Sequence, residues 1–153
     1  MKIIKIQQEI LKAAEARDAV CDEKKFNFLH FIKDDHIYIV SNGAAIYIIP
    51  MNKFYLDVDK TFKKAPVKLE NLLKEEWDAD ELVDCKIEKT IPATKQKVMV
   101  LQNKNGEEIW LDVKLMNVFD KEWCTYKGSS PKAPVFIYEE GVLSGVVLPI
   151  AHP

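Results

Sequence analysis

The stretch from Phe26 to Pro50, FNFLHFIKDDHIYIVSNGAAIYIIP, constrains the fold of this chain more than any other. It holds three apolar segments in a row: Phe26–Ile32, His36–Ser41 and Ala45–Ile49. In the first, Phe26, Phe28, His30 and Ile32 alternate with Asn27, Leu29 and Phe31. In the second, Ile37, Ile39 and Ser41 alternate with Tyr38 and Val40. A period of two in β-branched and aromatic residues predicts strands. Lys33-Asp34-Asp35 and Asn42-Gly43 are polar turn sequences, and Asn-Gly suits the positive φ angles of a tight hairpin. The result is a three-stranded meander that is apolar on both faces, so other elements must cover it. The nearest cover is the helix that precedes it.

The chain has 153 residues, enough for one domain with a sizeable core and no staples. We therefore expect a single domain over residues 1–153, with 53–105 as an insertion-like region. The balance of 22 basic and 24 acidic residues gives a net charge of −2, which argues against coating nucleic acid by bulk charge. The apolar runs are too short to cross a bilayer, and MKIIKIQQEILK turns polar too soon for a secretory signal. Cys21, Cys85 and Cys124 are far apart, with no CxxC pair, so neither a zinc ribbon nor a thioredoxin motif is available. They read as reduced thiols of a cytoplasmic protein.

Ahead of the meander, Lys2–Ile6 reads as a strand and Gln7–Val20 as a helix. Ile10, Leu11 and Ala14 form the helix's apolar stripe. Beyond the meander, Lys53–Val58 reads as a short strand and Val67–Leu82 as a helix carrying Leu69, Leu72, Leu73 and Trp77. Asp78–Asp84 reads as an exposed acidic stretch. Strands follow at Cys85–Thr90, Lys97–Gln102 and Glu107–Leu111, with the Asn103–Gly106 turn before the last. Asp112 is positioned to cap a helix over Val113–Asp120. Strands near Trp123–Tyr126, Pro134–Tyr138 and Val142–Leu148 complete the chain, the last two as a hairpin around Glu140-Gly141. Both ends thus read as βαβββ, a duplication of pattern without a repeat of residues.

Two sets of residues carry a family resemblance. The first is the opening helix followed by Phe28-Leu29-His30-Phe31-Ile32 and by Ile37-Tyr38-Ile39-Val40-Ser41-Asn42-Gly43. The second is Ser130-Pro131-Lys132-Ala133-Pro134-Val135-Phe136-Ile137, followed by Gly145-Val146-Val147-Leu148-Pro149-Ile150. In both, the chain resembles one domain of the bacterial beta-type DNA polymerase sliding clamp, with Leu148 where that family ends on a Met-Pro-hydrophobic sequence. The resemblance implies an α+β fold: two βαβββ halves with helices on one face of curved antiparallel sheet. It implies a non-enzymatic role in a phage or mobile-element replication setting, with DNA, replication proteins and further copies of the chain as partners. It also implies that Lys12, Arg17, Lys24 and Lys25, on the first helix and the loop after it, touch phosphates without reading sequence. Asp18, Asp22 and Glu23 dilute this set, so an ordinary mixed-charge surface is the competing explanation. A clamp subunit has two or three such domains, so a single one would have to assemble, with Lys53–Val58 or the terminal hairpin as edge strands. The alternative function is a small standalone protein-interaction domain with no nucleic-acid partner.

Catalytic constellations are sparse. His30 and His36, with Asp34 or Asp35, are candidate metal ligands, set against a strand histidine and a turn histidine with ordinary roles. Glu70, Glu75, Glu76, Asp78, Asp80 and Glu81 have the irregular spacing of a solvated face. Neither a nucleophile elbow, a P-loop nor a dinucleotide motif is present. We expect no cofactor, no metal and no enzymatic activity.

Overall fold

The computed structural model describes residues 1–20, 28–57, 63–64, 73, 76 and 79–152, with the side chains of 16–20 and 63–64 outside that description. The chain is mixed α and β, mostly strand. Helix α1 (Ile3–Val20) leads into β1 (Phe28–Lys33), β2 (His36–Ser41) and β3 (Ala45–Pro50). After the two-residue β4 (Lys63–Lys64) come β5 (Asp80–Thr90), β6 (Lys97–Gln102) and β7 (Glu108–Asp112). A short helix α2 (Val113–Met116) precedes β8 (Cys124–Gly128), β9 (Val135–Glu139) and β10 (Val142–Val147).

The strands join in the order β4-β1-β2-β3-β10-β9-β8-β5-β6-β7. Every pairing is antiparallel except β1 with β4. Two three-stranded meanders, β1–β3 and β8–β10, therefore meet at their last strands. Gly145 pairs with Tyr47 and Val147 with Ala45 across that junction. Positive φ angles at Asp34, Asp35, Asn42, Gly43, Glu140 and Gly141 make the three hairpin turns. The sheet also curls back on itself, because Ile150, beyond β10, makes an antiparallel bridge to Trp110 of the far strand β7.

The first meander is covered on both faces. On one face Ile37, Ile39, Tyr47 and Ile49 join Val135, Ile137 and Val147 of the second meander in the main core. Ile6 and Ile10 of α1 and Met116 of α2 enter that same cluster, so both helices lie on this side. On the other face Phe31, Val40, Ile46, Ile48, Phe136 and Val146 form a smaller cluster, with Leu73 and Ala79 packed on it. The Tyr138 hydroxyl donates to Glu76 at the same cover.

Several expectations need correction. Lys2–Ile6 is not a strand: Ile3, Ile4, Lys5 and Ile6 are the first turn of α1. Ile6, Gln7 and Ile10 are buried, with Ile3, Ala13 and Ala14 packed at the same face, and this helical spacing outweighs the β-branched propensity of the isoleucines. Leu11 lies on the outer face, 45% exposed. The first half is thus αβββ, whereas the second is βαβββ as expected. Lys53–Val58 is not a strand either. Met51–Lys53 form a 3₁₀ turn, and Phe54 is buried below the strap that follows. Val58 lies outside the described residues.

Most of the expected Val67–Leu82 helix lies outside the described residues, but its end is strand. Asp80, Glu81 and Leu82 pair with Gly128, Lys127 and Tyr126 of β8. β5 therefore begins ahead of Cys85, and Leu82 is buried within the stretch expected to be an exposed acidic one. From Val83 to Thr90 the same strand also pairs with β6, with a break in register between Asp84 and Glu88. The second helix stops at Met116, although Asp112 does cap it by accepting from the Lys114 N–H. Neither expected edge strand is an edge: the terminal hairpin is interior, and the outer strands are β4 and β7.

Candidate functional site

Of the four expected phosphate-contacting residues, Lys12 is exposed on α1. Arg17 occupies an α1 position five residues on, which is about 140° around the helix axis. The two do not share a face. Lys24 and Lys25 lie outside the described residues, as do Cys21, Asp22 and Glu23. Lys12 is flanked at i−3 and i+3 by the exposed Glu9 and Glu15, so its surroundings are mixed in charge.

α1 carries a more concentrated cationic region at its first turn. The strap after β3 is fixed there from two sides. Phe54 is buried, and the Tyr55 backbone N–H donates to Oε1 of the buried Gln7 at 2.8 Å. These anchors leave the Tyr55 side chain outside, 78% exposed, opposite Ile4 at 68%. Between them runs a groove of about 560 Å³ lined by Met1, Ile3, Ile4 and Tyr55 and by Lys2, Lys5 and Lys53. The lining contains no carboxylate, and among the described residues none of the three lysines is ion-paired. In the sequence, Lys2 and Lys5 lie within a short run of β-branched isoleucines that reads as strand, which hides this place. A helical register begun at Ile3 puts Lys5 on the same face as Lys12, two turns apart with Glu9 between them.

The two candidate histidines are on opposite faces of the sheet. His30 pairs with Ile39 and is buried on the main-core side. His36 pairs with Lys33, and its Nδ1 lies 2.7 Å from the Asp34 carbonyl oxygen. Directly paired residues share a face and successive residues along a strand switch it, so the two imidazoles cannot hold one ion. Among the described residues no group of three or more His, Cys, Asp or Glu side chains is placed to hold a metal.

A polar cluster at the β7 edge fastens the C-terminal tail. Lys89 Nζ and the Trp110 indole both donate to Glu108 Oε1, at 2.8 and 3.2 Å. His152 stacks on Trp110 with centroids 4.2 Å apart, and its Nε2 lies 2.8 Å from the Glu108 carbonyl oxygen. The hydrogen bonds from Lys89 and Trp110 hold the Glu108 carboxyl below its ordinary pKa. Other shifted groups move toward neutrality. Burial pushes the Cys124 thiol up to about 11, and burial raises the phenols of Tyr47 and Tyr126 above their ordinary value. A thiol shifted that way is protonated at neutral pH and is a poor nucleophile.

No protein-family model, curated protein or solved structure matches the chain. Among the described residues no helix is long and apolar enough to cross a membrane.

Proposed function

We propose that this chain is a non-catalytic binding domain of the DNA-clamp type, related to the replication processivity factors of phages or mobile elements and acting in the cytoplasm. The observation that carries this is the junction of the two meanders. β1–β3 and β8–β10 meet through β3 and β10, and α1 and α2, one ahead of each meander, pack into one core on one side. That arrangement fits the two-half plan the sequence resemblance implies, although the first half has no leading strand. One domain cannot surround a duplex, so clamp action requires several copies or partner domains, joined at the outer strands β4 and β7.

Solution mass measured together with a duplex-DNA titration tests this. The isolated chain is expected to be a monomer or small oligomer that binds linear duplex weakly and loses it as salt rises. Turnover of a substrate at a defined site, or DNA binding indifferent to salt, counts against it. The second reading, a protein-interaction domain without nucleic acid, is favoured by the exposed apolar groove beside α1, and it stands if duplex binding is absent at low salt.

A further inference from the structure

We infer that the groove between the first turn of α1 and the Tyr55 strap is a docking site for an acidic peptide segment of a partner protein, one with a large apolar anchor side chain. The inference goes beyond the clamp relation and does not depend on it. Ile4 and Tyr55 are large, exposed and on opposite walls, and Tyr55 is held outward by Phe54 in the core and by the Gln7 hydrogen bond. The fixed strap backbone matters, because a segment already anchored loses less entropy when its aromatic side chain binds. The cavity falls within the range of about 300–1,000 Å³ typical of sites that take a small ligand or an anchoring side chain.

Charge complementarity selects the occupant. Lys2, Lys5 and Lys53 ring the groove without a carboxylate among its lining residues, on a chain whose net charge is −2. Carboxylates flanking the anchor would meet ammonium groups that hold no ion pair among the described residues. Nucleic acid fits less well. A phosphate backbone needs a continued cationic track, and further along α1 the exposed Lys12 stands among the exposed Gln8, Glu9 and Glu15, which interrupt the track.

Selection of a random peptide display library on the folded chain, followed by NMR mapping of synthetic versions of the enriched peptides, tests the inference. Enriched peptides should carry two or more Asp or Glu residues around a Leu, Phe or Trp. They should shift the amide signals of residues 3–5 and 53–55. Tyr55→Ser and Lys53→Glu, both at exposed positions that leave the core intact, should each weaken binding about tenfold. Lys97→Glu, on β6 away from the groove, should leave it unchanged. Enrichment of basic or uncharged peptides, signals shifted elsewhere, no enrichment at all, or tighter binding of an oligo-dT strand in the same groove would overturn it.

Discussion

The ring of Phe119 occupies the space that a side chain on Gly145 would need. A Cβ at Gly145 would stand 2.5 Å from Phe119 Cζ and 2.9 Å from the Ile46 carbonyl oxygen. Gly145 pairs with Tyr47 at the junction of the two meanders, and Phe119 also tilts against the Tyr47 ring with centroids 5.6 Å apart. One glycine thus lets a buried aromatic from the loop after α2 lock β3 to β10.

Gly145→Ala should therefore destabilise the fold by about 1–3 kcal/mol through overpacking, although alanine is otherwise mild in a strand. Phe119→Ala should cost about 3–5 kcal/mol by leaving a cavity. Combining Gly145→Ala with Phe119→Leu should cost less than the sum of the two single changes, because the smaller side chain relieves the clash. Denaturant unfolding of the set measures this, and strict additivity would show that the contact is not the cause.

Asn103 organises the β6–β7 turn from a buried position. Its Oδ1 accepts from the N–H groups of Asn105 and Glu107 at 3.1 and 2.9 Å. Its Nδ2 donates to Glu107 Oε1 and to the Ser129 carbonyl oxygen. Asn103→Ala should cost about 1–3 kcal/mol, since buried groups lose their partners. Asn103→Asp keeps the acceptor and should fall between the two. Thermal unfolding that does not separate the three proteins would contradict this.

The meander was legible in sequence because strict alternation and turn chemistry agree there. His36–Ser41 and Lys97–Gln102 form strands over the residues read as strands. The start of α1 was not legible locally. Ile3, Ile4 and Ile6 have strand propensity, and only the core, through buried Ile6 and Ile10, selects helix. Leu82 likewise stands at the end of the stretch whose Leu69, Leu72, Leu73 and Trp77 share a helical face, while its burial comes from packing beside Gly128 of β8. The groove is assembled from residues about fifty positions apart. Its cations were hidden in a supposed strand, and Tyr55 was read as part of another.

Stability should fall above about pH 10. Burial, followed by the negative charges of Glu9 and Asp112, raises the pKa of Tyr47, whose hydroxyl donates to the Leu115 carbonyl oxygen at 3.0 Å. Burial likewise raises Tyr126. Below the unfolded value of 10.0 both states keep the proton and pH has no effect through these groups. Above it the unfolded chain releases protons that the native state holds, so stability drops as pH climbs toward the native pKa values. Tyr126→Phe should flatten this drop with little loss at neutral pH, because among the described residues the buried Tyr126 hydroxyl has no hydrogen-bond partner beyond the weak neighbouring Cys124 thiol. Denaturant midpoints between neutral and strongly alkaline pH measure the effect, and a flat profile in the unaltered chain would refute it.

Cys124 should react slowly with thiol reagents. Its Sγ donates to the Asp120 carbonyl oxygen at 3.2 Å, and burial holds its pKa up at about 11. With Cys21 and Cys85 changed to Ser, the native protein at mildly alkaline pH should be modified at least about tenfold more slowly than the same protein in denaturant. Equal rates would mean the thiol is neither buried nor shifted.

The clamp relation is tested most directly by anisotropy titration of a labelled duplex at low and moderate salt, with solution mass measured on the same samples. The chain should run as a monomer or small oligomer and bind weakly at low salt. Affinity should fall with a shallow log–log slope of about −2 to −4, as for a few phosphate contacts. Changing Lys12, Lys24 and Lys25 together to Glu should abolish it. Absence of binding at low salt, or binding that survives both the charge reversal and moderate salt, would contradict the proposal of a clamp-type domain whose phosphate contacts include Lys12, Lys24 and Lys25.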